Sequence, residues 1–210
     1  MDGVGALLVV RGLGRKFGPV EVLAGIDMAV APGEAVALVG PNGSGKTTLL
    51  RCVVGADRPD AGTVTFEGRP MREADPRVRA ATASVLDDVE FFGDLSVAEH
   101  LELLAYAHAS PDAGEVARVI TDLDLDAVRD QLPPTLSSGQ RRRLALASCF
   151  VRPRRLLVLD EPEQRLDTDG RRWLTHRLLA EKRAGTAVVF ASHDEKIVAS
   201  VADTRLALSR

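Results

Sequence analysis

The sequence predicts an α/β chain built on a mostly parallel sheet. Strand-like and helix-like stretches alternate at both ends of the chain, as they do when helices cover a parallel sheet. The runs "RRLLVLD" and "TAVVFAS" are continuously apolar, the pattern of strands buried on both faces. A glycine-rich segment, "GPNGSGKTT" at 40–48, separates a strand ending at Val39 from a helix starting at Lys46.

Taken in order, residues 1–39 read as short strands, "ALLVV", "EVLAGIDMAV" and "EAVALV", divided by turns at Gly18-Pro19 and Ala31-Pro32-Gly33. These are expected to form an N-terminal antiparallel β subdomain. A helix runs from Lys46 to about Val54, and "TVTFEG" at 63–68 returns as a strand. From Ser96 to Asp130 the pattern is helical. Ser96 followed by Glu99 has capping-box spacing, and "AGEVARVITDLDL" is a second amphipathic helix. "RRLLVLD", the helix "GRRWLTHRLLAEKRA" and "TAVVFAS" close the chain as strand, helix and strand. The expected organisation is one domain over 1–210, with a core of about 1–86 and 151–210 and an inserted α-helical subdomain at about 87–150.

At 210 residues the chain can bury a core, and 45% hydrophobic with 27% charged residues is ordinary for a globular protein. A formal charge of −3 gives no global reason for nucleic-acid binding. Cys52 and Cys149 lie in apolar helical contexts without a CxxC pair, which suits small core residues in a reducing compartment. No apolar run approaches the roughly 20 residues that span a bilayer, and the start "MDGVGALLVV" lacks the basic segment of a signal peptide. The expectation is a cytoplasmic chain whose membrane role, if any, needs a partner.

The chemistry begins at the phosphate loop, Gly40, Pro41, Asn42, Gly43, Ser44, Gly45, Lys46, Thr47 and Thr48, which matches G-x-x-x-x-G-K-[ST] in its strand–loop–helix context. Its glycines let successive N–H groups turn inward onto β- and γ-phosphates, Lys46 adds a point charge, and Thr47 is placed to ligate Mg²⁺. The chain core is therefore expected to be a P-loop NTPase that binds ATP.

"LLVLDEP" supplies the second half of such a site. Asp160 ends a buried strand, where its carboxylate can hold Mg²⁺ through water, and Glu161 can polarise a water as general base. The alternative is that the pair merely opens a surface loop. "FASHD" puts His193 at another strand end, where a histidine is often structural. "LSSGQ" at 136–140 stands at the start of a helical run, with Ser137, Ser138 and Gly139 just ahead of it, and offers a further set of unpaired N–H groups. Arg141, Arg142 and Arg143 read as a solvated helix face, because the run is short and lacks interleaved aromatics. His100, His108 and His176 lack metal-ligand spacing and read as surface or packing residues.

This set, in this order, resembles the ATP-binding-cassette ATPases over about residues 6–208. The resemblance implies a head-to-tail dimer, homomeric or heteromeric, with ATP held between one subunit's phosphate loop and the other's signature segment. It implies that Ser137 and Gly139 contact the partner's γ-phosphate, that Gln140 supports that segment, and that His193 is a switch histidine touching the γ-phosphate. It matches Asp167 to the aspartate of the dimer-crossing loop, and it places Phe17 where an aromatic stacks on adenine. Read locally, Phe17 is equally a partly buried strand residue.

Three departures stand out. Family members carry Gln where the core joins the helical insertion, whereas this chain offers Asp87, with Asp88 one register away. Either carboxylate would bind Mg²⁺ more directly than an amide, or the joint no longer senses nucleotide. Ser138 replaces a glycine of the signature, which fits if its φ stays below zero. Gln164 and Arg165 replace small residues before Asp167. With Glu161 and His193 present, a competent ATPase is expected.

The resemblance implies the ATPase subunit of a transporter working through a separate integral membrane subunit, at the inner face of the cell membrane and without nucleic acid. The compact insertion and the lack of sequence after Arg210 fit small bacterial exporter-type ATPases. The alternative is a non-transport cassette ATPase acting on DNA or the ribosome. A small-molecule or nucleotide kinase would leave "LSSGQ" and "LDEP" unexplained. In "DDVEFFGDLSVAEHL", acids surround Phe91 and Phe92, and two adjacent aromatics cannot both face one core, so at least one should be exposed.

Overall fold

The computed structural model describes residues 5–86, 89–108 and 113–209. Strands β1 (Leu8–Phe17), β2 (Val20–Val30), β4 (Ala61–Phe66) and β5 (Arg69–Pro70) form an antiparallel sheet in the order β2-β1-β4-β5. Strands β3 (Ala35–Val39), β6 (Thr82–Val85), β7 (Leu156–Asp160), β8 (Ala187–Ala191) and β9 (Thr204–Ala207) form a five-stranded sheet in the order β6-β7-β8-β3-β9. Every pairing in that second sheet is parallel. The predicted fold class therefore holds.

The helices are α1 (Lys46–Val53), α2 (Pro76–Ala81), α3 (Val97–Ala107), α4 (Ala113–Asp122), α5 (Ser138–Phe150), α6 (Thr168–Arg183) and α7 (Glu195–Val201). Three of them, α3, α4 and α5, fall between β6 and β7.

The continuous apolar runs are explained by two cores on opposite faces of the parallel sheet. Strand side chains alternate between faces. Val36, Leu38, Leu156, Val158 and Val189 therefore join one cluster with α1 and the antiparallel sheet. Ala35, Ala37, Leu157, Leu159, Val188 and Phe190 join the other, beneath the helices. Both cysteines are buried in these cores, and burial pushes each thiol up to about 11.

Elements that the sequence reading omitted carried weaker signals. Helix α2 starts at Asp75-Pro76, where the Asp75 carboxylate accepts from Arg77 N at 2.9 Å. Helix α7 is capped by Asp194, which accepts from the N–H groups of Lys196 and Ile197. Strand β6 has one exposed position, and β9 has none buried, so neither reads as an apolar run.

The helix of the LSSGQ segment starts earlier than expected. Ser137 is its N-cap, and Ser138 and Gly139 lie inside the first turn rather than ahead of it. The reason is the reciprocal cap: Ser137 Oγ accepts from Gln140 N at 3.2 Å while Gln140 Oε1 accepts from Ser137 N at 2.8 Å.

Candidate functional site

The site lies at the C-terminal ends of β3, β7 and β8, where an open parallel sheet places its ligands. The phosphate loop leaves β3, and Gly45 caps α1 with φ 95°. That left-handed φ favours glycine, and a Cβ on Gly45 would also crowd β2, at 2.8 Å from Leu23 Cδ2 and 3.2 Å from the Val22 carbonyl oxygen. A Cβ on Gly40 would meet the Leu208 carbonyl oxygen at 2.3 Å. Pro41, Asn42 and Gly43 are exposed at the loop's crest, and Thr48 is half-buried behind it. Lys46 is 5% exposed and donates to the carbonyls of Gly40 at 2.9 Å and Pro41 at 3.1 Å. Ser44 Oγ is buried without a hydrogen-bond partner among the described residues. A buried orphan hydroxyl is costly unless something fills it, and a phosphate oxygen would.

Thr47 Oγ1 donates to Asp160 Oδ2 at 2.5 Å, which brings the loop and the end of β7 together. Among the described residues no three His, Cys, Asp or Glu side chains cluster as a metal cage. A hydroxyl plus one carboxylate fits Mg²⁺, a cation that takes few protein oxygens and completes its shell with phosphate and water.

Glu161 follows Asp160 with φ 44°, a region that costs an L residue about 1–3 kcal/mol and that surrounding contacts must hold. Its N–H donates to Ala191 O at 2.9 Å. Its carbonyl accepts from Arg142 Nη2 at 2.7 Å and from Gln164 N at 3.0 Å. At its carboxylate, Oε1 lies 3.1 Å from His193 Nε2, and Oε2 accepts from Gln164 Nε2. His193 is held in turn through its N–H, which donates to Glu163 Oε1 at 3.0 Å. Glu163 is 5% exposed and also accepts from Ser192 Oγ at 2.6 Å. A cleft of about 740 Å³ opens beside this group, lined by Thr47, Phe91, Arg142, Asp160, Glu161 and Gln164.

The arginine run is not a solvated face. Arg141 is exposed, but Arg142 Nη2 also donates to Asp160 O at 2.6 Å, and burial pushes its pKa down despite Asp160 and Glu163 nearby. Arg143 bridges Asp124 at 2.6 Å and Asp167 at 2.9 Å. Helical phase turns these side chains toward the β7 loop and the start of α6, which the charge pattern alone does not show.

Ser137 is exposed, and Gly139 and Gln140 are half-buried, at the start of α5. Ser138 keeps φ below zero in the first helical turn, so it replaces glycine without strain. A Cβ on Gly139 would lie 3.2 Å from Arg165 O, so the signature packs on the loop after Glu161. Asp167 caps α6 by accepting from Gly170 N at 2.8 Å.

Phe17 ends β1 and is 50% exposed, with the Arg15 guanidinium 4.7 Å from its ring centroid. Its sheet reaches the phosphate loop through Val22 and Leu23, which abut Gly45. Phe92 is 51% exposed and Phe91 half-buried, as the sequence requires of adjacent aromatics. His100 is a buried packing residue whose ring touches both. Asp87 and Asp88 lie outside the described residues.

Sequence reasoning missed Arg142 and Glu163, and it noted Gln164 only as a loop departure. A charged residue at a buried position is visible only once the fold is known.

A family model described as "ABC transporter" matches residues 23–164. The chain is 39% identical over 191 residues to the cytochrome c biogenesis ATP-binding export protein CcmA 2 of Cupriavidus metallidurans, covering 90% of each. It is 38% identical over 205 residues to the sulfate/thiosulfate import ATP-binding protein CysA of Bordetella parapertussis, covering 92% of this chain and 57% of that protein. The chain thus spans a little over half the length of that relative. Among solved structures, an ATP-binding subunit of an ABC transporter superposes with a TM-score of 0.86 at 25% identity, covering 96% and 85% of the two chains. A dimeric ATP-binding cassette in a post-hydrolysis state, bound to ADP and Pi, superposes with a TM-score of 0.84 at 20% identity, covering 96% and 94%.

Proposed function

The chain belongs to the ATP-binding-cassette family, and from that premise we propose that it binds and hydrolyses ATP to drive a transporter whose membrane part is a separate subunit. One observation carries the reading: Glu161, with both carboxylate oxygens partnered, stands directly after Asp160, which itself meets Thr47 of the phosphate loop.

The residues divide the work. The N–H groups of the loop from Gly40 to Thr48 and the Lys46 ammonium bind the β- and γ-phosphates. Thr47 and Asp160 would hold Mg²⁺, which when bound neutralises developing charge on the phosphates. Glu161 orients a water and accepts its proton, and His193 keeps the Glu161 carboxylate aimed. Phe17 presents its exposed ring to adenine, with the Arg15 guanidinium 4.7 Å from the ring centroid.

Ser137 and Gly139 sit on a helix start whose backbone N–H groups suit a phosphate. They serve the ATP of a second cassette, in a homodimer or heterodimer, with Gln140 fixing their cap. Asp87, or Asp88, is the residue that would meet Mg²⁺ where the resemblance implies a Gln. The membrane subunit, at the inner face of the cell membrane, docks near Phe92. Nucleic acid is not a partner in this reading.

Among the described residues no helix is long and apolar enough to cross a membrane. Co-purification from native membranes tests the assignment. Capture of an integral membrane protein, with ATPase activity in the complex, is the expected result. A chain that hydrolyses ATP but is recovered only with ribosomes or DNA would overturn it in favour of the non-transport reading.

A further inference from the structure

Glu161, like Arg165 further along the same loop, is held in a conformation that side chains rarely adopt, and three segments converge on its backbone. Its N–H is taken by Ala191 of β8, and its carbonyl is shared between Gln164 N and Arg142 Nη2. The first two contacts come from a neighbouring strand end and from the same turn. Arg142 alone comes from α5, the helix whose first turn carries Ser137 and Gly139.

The arginine's geometry is specific. A single nitrogen, Nη2, donates to two successive carbonyls, Asp160 at 2.6 Å and Glu161 at 2.7 Å. Its Nε is buried and makes no hydrogen bond among the described residues, so the side chain is aimed by Nη2. Two consecutive peptide oxygens are thereby fixed on either side of the residue whose φ is 44°.

We propose that Arg142 is a positioning residue that holds Glu161 in its strained conformation, a strut from the signature helix to the carboxylate that receives the water's proton. The proposal rests on the reading of Glu161 as general base. Arg142 touches no reacting atom. It acts through the direction of the Glu161 side chain, where a displacement of about 1 Å is enough to slow a reaction about a hundredfold.

The test uses the full chain at saturating Mg-ATP, with kcat, ATP affinity, thermal melting and sedimentation measured on each variant. Arg142→Met should lower kcat at least about tenfold and leave ATP affinity and ATP-dependent dimer formation within about twofold. Arg142→Lys, one bond shorter, reaches the carbonyls less well and should fall between Met and wild type at unchanged ATP affinity. Glu161→Gln is the control for the underlying reading. If it hydrolyses ATP normally, the general base is misassigned and the strut falls with it. If Glu161→Gln is inactive but Arg142→Met keeps wild-type kcat, the strut alone is wrong. Losses of ATP binding and of kcat in equal proportion in Arg142→Met would also overturn it. Should Arg142→Met fail to fold, Arg142→Lys decides: an intermediate kcat sustains the proposal, and wild-type kcat overturns it.

Discussion

His193 Nε2 stands 3.1 Å from Glu161 Oε1, and the histidine's own backbone N–H is anchored by the buried carboxylate of Glu163. The end of β8 and the turn after β7 are therefore registered against each other by side chains at both levels. Gln164 Nε2 donates to the second oxygen of Glu161. In the general-base role proposed for Glu161 the carboxylate has to point at one water, and pinning both oxygens removes rotational freedom that would blur its aim.

Glu161→Gln keeps the shape of that group and removes its basicity. ATP binding should persist, while hydrolysis should drop by roughly 10²–10⁴-fold, the range for losing a general base. Because each nucleotide then stays intact between two cassettes, sedimentation at saturating ATP should show a dimer. A variant that stays monomeric there would contradict the shared site.

Lys46→Ala acts earlier. Lys46 is buried against the carbonyls of Gly40 and Pro41, so its loss removes charge from the ground-state phosphates and donors from the loop itself. Nucleotide titration should show ATP affinity falling by about tenfold or more, not only turnover. Unchanged affinity would move the phosphate contact elsewhere.

The Arg154–Glu181–Arg177 group predicts an acid limit to stability. Glu181 is 5% exposed, accepts from Arg154 Nε at 2.8 Å and Arg177 Nε at 3.0 Å, and also receives the Thr186 hydroxyl at 3.0 Å. Burial alone would raise its pKa, but Arg154 and then Arg177 outweigh that and hold it below the ordinary 4.5. A depressed carboxylate stabilises the fold above its unfolded pKa, so this contribution should be lost as pH falls below about 4.5. Glu181→Ala leaves two guanidinium groups without their carboxylate and should cost about 3–5 kcal/mol in denaturant unfolding. It should also flatten the acid side of the stability curve, and a slope equal to wild type would assign that limit to another group.

Much of this architecture was legible beforehand because buried strands and phosphate loops announce themselves locally. "LLVLD" and "AVVFA" are apolar on both faces because both faces are covered, and the loop's glycines are required by contacts as close as that of Gly40 to Leu208. The missed parts were relational. Nothing in "RRR" distinguishes exposed Arg141 from Arg142, whose guanidinium reaches back to Asp160 and Glu161 across 18 and 19 residues of sequence. Glu163 looks like one more loop acid until β8 brings Ser192 and His193 onto it. Strand β9 pairs with β3 at the edge of the parallel sheet, with exposed or half-buried side chains that give no apolar run.

In the proposed site Asp87 stands where the resemblance implies a Gln, and Asp87→Gln would restore that amide. It should shift the Mg²⁺ dependence of ATPase activity more than it shifts ATP affinity, because an amide binds the cation more weakly than a carboxylate. An unchanged metal titration would transfer the role to Asp88 or abolish it.

The last prediction concerns the proposed membrane subunit. Phe92 is 51% exposed, and its ring leans on His100 at a centroid distance of 5.6 Å, so it is propped outward from α3 rather than absorbed. Phe91, T-shaped on the same histidine at 5.3 Å, lines the cleft that also contains Thr47 and Glu161. The two aromatics thus divide the tasks, one facing the cleft beside Glu161 and the other facing outward. Exposed Glu90 and Asp94 flank them, so a partner helix that is apolar and basic would match both pocket and charge. Reversing the charge of Glu90 should slow assembly with the membrane subunit, and the loss should shrink at high salt as the surface charges are screened. Phe92→Ala should uncouple transport in a reconstituted complex while leaving the ATPase activity of the separate chain nearly intact, since Phe92 is absent from the residues around Glu161. Normal transport by Phe92→Ala would place the docking surface elsewhere on the chain.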